Sequence, residues 1–171
     1  MSGTSLTTAL VTGQQAMHAA ALAAVTGSFD GDTTTATNRD QVLVCYGFPM
    51  FPPPANYVSI RESQIDQAVA VLSTNRGREE TVLIHVEVGC ARQGDHRQQI
   101  VALTAAATIL GQLERYVRGG AGFGDTTMGG VVRECFLITA VTESLPMIEE
   151  IADGRQTVIN ATFSAKVRVT G

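Results

Sequence analysis

The sequence predicts an α+β fold in which a mixed or antiparallel β-sheet packs against one long amphipathic helix and an N-terminal helix. Three segments carry this prediction. Residues 81–89 alternate apolar and polar side chains, 98–118 repeat apolar residues at helical spacing, and 155–169 alternate again. The chain of 171 residues is long enough to bury a hydrophobic core, and we expect a single domain spanning 1–171.

The central strand is predicted at 81–89, where the sequence is TVLIHVEVG. Every second position holds a branched apolar residue: Val82, Ile84, Val86 and Val88. His85 and Glu87 belong to the other face, which we expect to meet either solvent or a neighbouring subunit. A short polar loop is expected to follow at 90–97.

The longest helix is predicted at 98–118. Its apolar residues recur close to helical spacing: Ile100, Leu103, Ala107, Leu110 and Val117. Asp95 is the expected N-cap of this helix, because a carboxylate accepts hydrogen bonds from the free amides of the first turn. The glycine pair at 119–120 is the expected stop.

Helix and strand patterns also organise the first part of the chain. An Ala-rich helix is predicted at 4–26, followed by a polar loop at 27–40 and a strand at 41–48. Four prolines within 49–54 exclude regular structure there, so this segment is either a rigid partner-docking arm or a simple crossover. A short strand is expected to follow at 56–63.

Later segments are expected to complete the sheet. The pattern at 67–73 fits a strand or a short helix, and we favour a strand joined to the central one by a turn at 75–77. A Gly-rich linker at 119–130 leads to a long strand at 131–145. The last strand, 155–169, has one apolar and one polar face, as expected of a half-buried antiparallel strand.

The composition limits the classes of function. Charged residues make up 16% of the chain and the formal net charge is -4, which argues against a protein that wraps nucleic acid. The low charge leaves a neutral polar surface, which suits contacts with other proteins but is also found in monomers. Residues 1–15 lack the basic start of a signal peptide, and no apolar run has membrane-spanning length. We therefore expect a protein that is made in the cytoplasm and stays or assembles there.

The cysteine count argues against a disulfide framework. Cys45, Cys90 and Cys135 are odd in number and widely spaced, so we expect buried free thiols. Cys90 is close in sequence to His85 and His96, which leaves open a small enzyme or ligand-binding protein built on these three residues.

Neither a metal nor another cofactor is expected. Asp30 and Asp32 have a D-x-D spacing, but no glutamate closes a twelve-residue calcium loop after them. The G-x-G at 122–124 follows a helix rather than a strand, which is the wrong context for a dinucleotide site. Three charged residues of the strand-to-helix loop, Arg92, Asp95 and Arg97, are instead candidates for salt bridges at a subunit interface.

The order of elements resembles that of the tail terminator proteins of long-tailed bacteriophages over nearly the full chain. An alternating strand ends in HVEVG, Arg92 and Arg97 open a long helix, and a Gly-rich linker precedes two final strands ending in VRV. The resemblance implies a small α+β structural subunit of the virion, without enzymatic activity, assembled in the host cytoplasm. The Pro-rich segment and the loop at 27–40 match no pattern of this family.

The resemblance also implies partners. Such subunits form a hexameric ring that caps the tail tube, stops its polymerisation and joins the head–tail connector or stopper protein. DNA passes through the lumen without specific binding, and no membrane is involved. A ring needs a heterologous interface that closes, and we expect exposed strand edges and the 92–97 loop to form it. Other structural roles in the same particle, as a head-completion, connector or tube protein, remain the alternatives.

Overall fold

The computed structural model of the chain describes residues 6–31, 41–49, 54–66, 77–119, 122–146 and 154–170. Within these ranges, the elements in chain order are α1 (Leu6–Ala24), β1 (Ser28–Asp30), β2 (Val42–Tyr46), β3 (Asn56–Asp66), β4 (Gly77–Gln93), α2 (Gln98–Arg118), β5 (Val132–Pro146) and β6 (Gly154–Thr170). The predicted α+β class is confirmed, including the long helix and the N-terminal helix.

The described strands form one mixed sheet with the order β1-β2-β3-β4-β6-β5. The first three strands are parallel to one another, whereas the pairs β3–β4, β4–β6 and β6–β5 are antiparallel. β4 and β6 pair along their whole lengths, from Gly77 opposite Thr170 to Gln93 opposite Gly154. This long central pair is the frame to which the shorter strands are added on either side.

Both helices cover the same face of the sheet. α1 packs mainly against β3 and β4, and α2 packs against β4, β6 and β5. The largest fully buried side chains of this layer are Met17, Ile60, Ile84, Leu113 and Phe163. Burying each such side chain stabilises the fold by roughly 1.5–3 kcal/mol, so this single layer dominates the stability.

The alternation predicted for the last strand is confirmed. Ala161, Phe163 and Ala165 are buried on the helix-covered face, while Thr162 and Ser164 between them are partly exposed on the other face. The same alternation in β4 buries Val82, Ile84, Val86 and Val88. Both central strands therefore present one apolar and one polar face.

Several strand boundaries differ from the sequence-based expectation, since β3 continues to Asp66 and β4 begins at Gly77. Two further differences concern expected loops. Ser28–Asp30 lies in the expected polar loop but forms β1, because Phe29 pairs in parallel with Leu43 of β2. β4 also continues to Gln93 through the expected loop, because residues 90–93 pair with residues 154–157 of β6. In both places a partner strand supplies hydrogen bonds that the local sequence does not predict.

The start of α2 corrects the predicted N-cap. The helix begins at Gln98, and Arg97 occupies the N-cap position in helical conformation without a side-chain cap. The Asp95 carboxylate instead accepts a hydrogen bond from the backbone amide of Arg97 at 2.9 Å, two residues further on. Asp95 therefore closes the turn before the helix rather than the helix itself. The predicted stop is confirmed at Gly119, whose φ is 68°.

Several predictions concern residues outside the described ranges. These are the strand at 67–73, most of its turn at 75–77, most of the Pro-rich segment and Asp32 of the D-x-D pair. They stay predictions.

The closest backbone approach in the sheet involves Gly89 of β4. It lies opposite Tyr57 of β3, and a Cβ at Gly89 would be 2.2 Å from two carbons of the Tyr57 ring. The ring is held in place because its hydroxyl donates a 2.8 Å hydrogen bond to Glu87 Oε1. Only a residue without a side chain fits beneath the ring.

We therefore expect Gly89→Ala to lower the free energy of unfolding by about 1–3 kcal/mol, because the tyrosine ring must shift and strain its hydrogen bond. Gly111→Ala is the matched control. Gly111 lies inside α2 with no atom within 4 Å of an added Cβ, so alanine there is expected to stabilise the helix by about 1 kcal/mol. Chemical denaturation of both variants measures the effects, and equal stability of the Gly89 variant and wild type would contradict the close packing.

Candidate functional site

The uncovered face of the sheet carries a polar cluster centred on Glu87. One carboxylate oxygen accepts the hydrogen bond from Tyr57, and the other lies 3.6 Å from Nη1 of Arg61. Burial and the adjacent carboxylate both raise the pKa of Tyr57 well above its usual value, so the phenol stays protonated and keeps donating. Through these two contacts, Glu87 links β4 to β3.

His85 lies beside this cluster on the same face. Its Nδ1 is 3.0 Å from the Thr162 hydroxyl of β6. Together with Arg61, Glu87 and Asn160 it lines a shallow depression of about 500 Å³. Each of these polar groups faces the uncovered side of the sheet, as the sequence predicted for His85 and Glu87.

The structure does not bring Cys90, His85 and His96 together. Cys90 has the same strand parity as Val88, is fully buried among core residues, and lies on the opposite face of β4 from His85. His96 is exposed in the turn before α2. Burial raises the pKa of the Cys90 thiol to about 11, although Arg92 partly opposes the shift. These positions do not form a nucleophile–base pair.

The other two cysteines are also buried and free, as predicted. Burial raises the pKa of Cys135 to about 12. No group of three or more histidine, cysteine or acidic residues in the described ranges is arranged to hold a metal ion. No helix in those ranges is long and apolar enough to cross a membrane.

The three residues predicted for a subunit interface lie close in sequence but differ in their surroundings. Arg92, at the end of β4, donates from Nη1 to Asn56 Oδ1 at 2.8 Å and to the backbone oxygen of Ala91 at 2.7 Å. Asp95 and Arg97 are both exposed in the turn. All three are accessible in the isolated subunit, and their role at an interface stays a prediction.

A groove that the sequence did not reveal opens beside Arg92. It has a volume of about 550 Å³ and lies between α2 and the starts of β2 and β3. Its lining from α2 includes Ile100 and Val101, which are 61% and 46% exposed. Helical spacing predicted Ile100 as a core residue, but Ile100 is exposed. The buried residues in this part of α2 are Ala102 and Ala106. The first turn of α2 is held on the sheet by Gln99, which donates to Thr157 Oγ1 at 2.5 Å and to Ser144 Oγ at 3.1 Å.

The outer edge of β5 is the second exposed feature. β5 is 15 residues long and ends the described sheet, so its outer side has no partner strand among the described residues. Phe136, Ile138 and Val141 are 49%, 52% and 58% exposed along it. A long edge of this composition is a ready surface for pairing or docking with another chain.

A third feature joins α1 to the first two strands. The ring of His18, a buried residue, stacks on Tyr46 with centroids 4.3 Å apart, and its Nε2 is 3.1 Å from Asp30 Oδ1. The neighbouring Phe48 is exposed, and the Arg61 guanidinium lies 3.2 Å from its ring centre. The sequence spacing of His18 and Asp30 does not predict this contact, because the contact depends on the pairing of β1 with β2.

The burial of the thiols makes a direct prediction. At pH 8 we expect Cys90 and Cys135 of the native chain to react with a thiol reagent at least about tenfold more slowly than in the unfolded chain, because thiolate is the reactive form. Mass spectrometry of labelled peptides after timed quenching measures both rates. If Cys90 of the native chain reacts as fast as in the unfolded chain, the result would instead support a nucleophilic role for Cys90.

The similarity of this chain to known proteins is limited. No protein-family model matches the chain, and no curated protein matches it in sequence. Among solved structures, the fold is similar to a chain of the virion of a native gene transfer agent particle. That chain is 17% identical in sequence; the match covers 73% of this chain and 78% of that one, with a TM-score of 0.44. A likeness at this level does not identify a family or a function.

Proposed function

We propose that the protein is a structural subunit of a phage-type virion, acting as a single domain without enzymatic activity. In this role, copies of the chain form a ring at the head-proximal end of the tail tube, stop tube polymerisation and join the tail to the head–tail connector. The particle is assembled in the host cytoplasm. The order of elements from α1 to β6, which resembles that of tail terminator proteins, supports this assignment.

The observation that carries the proposal is the open edge of β5. An isolated subunit with a 15-residue unpaired edge and three exposed apolar side chains leaves apolar surface in water. Assembly into a closed ring covers such a surface, because every subunit then lies beside a neighbour on both sides.

The polar uncovered face fits the same role. Glu87 accepts a hydrogen bond from Tyr57 and forms an ion pair with Arg61 there, so its charge is balanced within the subunit. The net charge of -4 gives a ring little attraction for phosphates, which suits a lumen through which DNA slides.

The mass of the purified protein in solution tests this function, measured by native mass spectrometry and negative-stain imaging. We expect closed rings of about six subunits, or monomers that form rings only on added tail tubes. Long tubes formed by the protein alone would identify a tube subunit instead. A monomer that never associates with tubes or connectors would contradict the proposal.

The interface predicted from the sequence gives a second experiment. We expect the double variant Arg92→Glu/Arg97→Glu to remain monomeric, because it reverses the charge of the strand-to-helix connection. The matched control is Arg115→Glu/Arg118→Glu, which makes the same charge change in the last turn of α2. The control is expected to assemble. Intact rings of the first variant would show that the 92–97 segment lies outside the interface.

A further inference from the structure

We propose that the groove beside Arg92 receives the β5 edge of a second copy of this chain, with Glu143 of that copy against the Arg92 guanidinium. The inference rests on the ring-forming role proposed above and assigns the two surfaces that meet.

The groove combines apolar walls with one cation. Val42, Ile100 and Val101 supply apolar surface, and Thr104 and Arg92 also line the groove. The hydrogen bonds of Arg92 within the described residues go to the neutral oxygens of Asn56 and Ala91. Its charge is therefore not balanced by a carboxylate from that part of the chain. A segment that places apolar side chains on the walls and a carboxylate against Arg92 complements the groove in both respects.

The β5 edge has this chemistry. Val141 and Glu143 alternate onto the same face of the strand, and both are exposed. Glu143 has no ion-pair partner among the described residues, in contrast to Glu134 near the start of the strand, which pairs with Lys166. The exposed stretch from Ile138 to Ser144 carries no other charge. It thus offers the exposed apolar side chains of Ile138 and Val141 together with the carboxylate of Glu143.

The two surfaces are separate parts of the subunit. The groove opens between α2 and the side of the sheet formed by β2 and β3, whereas β5 is the edge strand beyond β6. One subunit can therefore use its groove and its edge at the same time, with two different neighbours. A contact between unlike surfaces is heterologous, which is the type of interface that generates a ring.

Two single variants reverse the charge on either side of the proposed contact. Chains with Arg92→Glu place two carboxylates in the contact, and chains with Glu143→Arg place two guanidinium groups there. Each variant alone is expected to need at least about tenfold higher concentration than wild type to assemble. Light scattering over a concentration series measures this shift.

Mixing the two variants gives the decisive measurement. In an alternating ring, the altered groove of one chain meets the altered edge of the other, and the unaltered groove meets the unaltered edge. An equimolar mixture is therefore expected to recover wild-type assembly, with equal numbers of both chains in each ring. Native mass spectrometry counts them, since one variant carries an isotope label. A mixture that stays monomeric would overturn the proposal.

Controls separate this contact from a general effect of charge or folding. Arg115→Glu makes the same charge change on α2, and Arg115 does not line the groove, so wild-type assembly is expected. Glu143 is exposed, so its variant is expected to keep the thermal stability of wild type even if Arg92→Glu loses some through Asn56. Wild-type assembly by the Glu143→Arg variant would overturn the proposed contact.

The outcomes also separate this inference from the ring-forming role. A wild-type chain that never assembles, alone or on tail tubes, contradicts the proposed function itself. If both variants form rings as readily as wild type, only the proposed contact is contradicted. Rings that persist while Arg92→Glu weakens binding to tail tubes by tenfold or more would assign the groove to the tube protein, and would overturn the second copy as its occupant.

Discussion

Seventeen residues of β4 pair in unbroken antiparallel register with seventeen of β6, from Gly77 opposite Thr170 to Gln93 opposite Gly154. Because side chains alternate along a strand, this register decides which residues enter the core. A slip of one residue in β6 would move Phe163 to the polar face and bring Thr162 beneath the helices. The helices and the remaining strands depend on this pairing, because they pack on the surface that it creates.

The covering layer explains why the two faces differ. α1 and α2 lie side by side on the apolar face and together reach from the first strands to β5. No second layer covers the other face among the described residues, and its polar groups pair across strands instead. Tyr57 and Arg61 both reach Glu87, so three side chains tie β3 to β4, and Tyr57 also packs with Leu43 and Cys45 in a small buried cluster. Gly89 makes this possible, because its missing side chain leaves room for the tyrosine ring.

The same packing leaves two surfaces of the subunit exposed. In the first turn of α2, Ile100 and Val101 are exposed beside Arg92. β5 is an edge strand of the described sheet, and its residues from Ile138 to Ser144 are exposed. A monomer gains nothing from either surface, since apolar side chains there remain in water. In an assembly each becomes a contact, which links the packing of one subunit to the proposed ring.

The sequence by itself determined the elements whose pattern is local. Alternation specified β4 and β6, and helical spacing specified α2, because neighbouring residues alone produce those periods. The burial of Cys45 and Cys135 also followed from their apolar surroundings. β1 and the end of β4 could not be found this way, because a distant partner strand creates them.

The candidate surfaces were decided only by the tertiary structure. Sequence proximity suggested a relation between His85 and Cys90, but strand alternation places them on opposite faces of β4. The strand order puts β5 at an edge, although β6 follows it in the chain and lies inside the sheet. The groove beside Arg92 combines residues from three strands and a helix that are far apart in sequence. Such surfaces arise from the packing of whole elements, and local periodicity carries no information about which elements become neighbours.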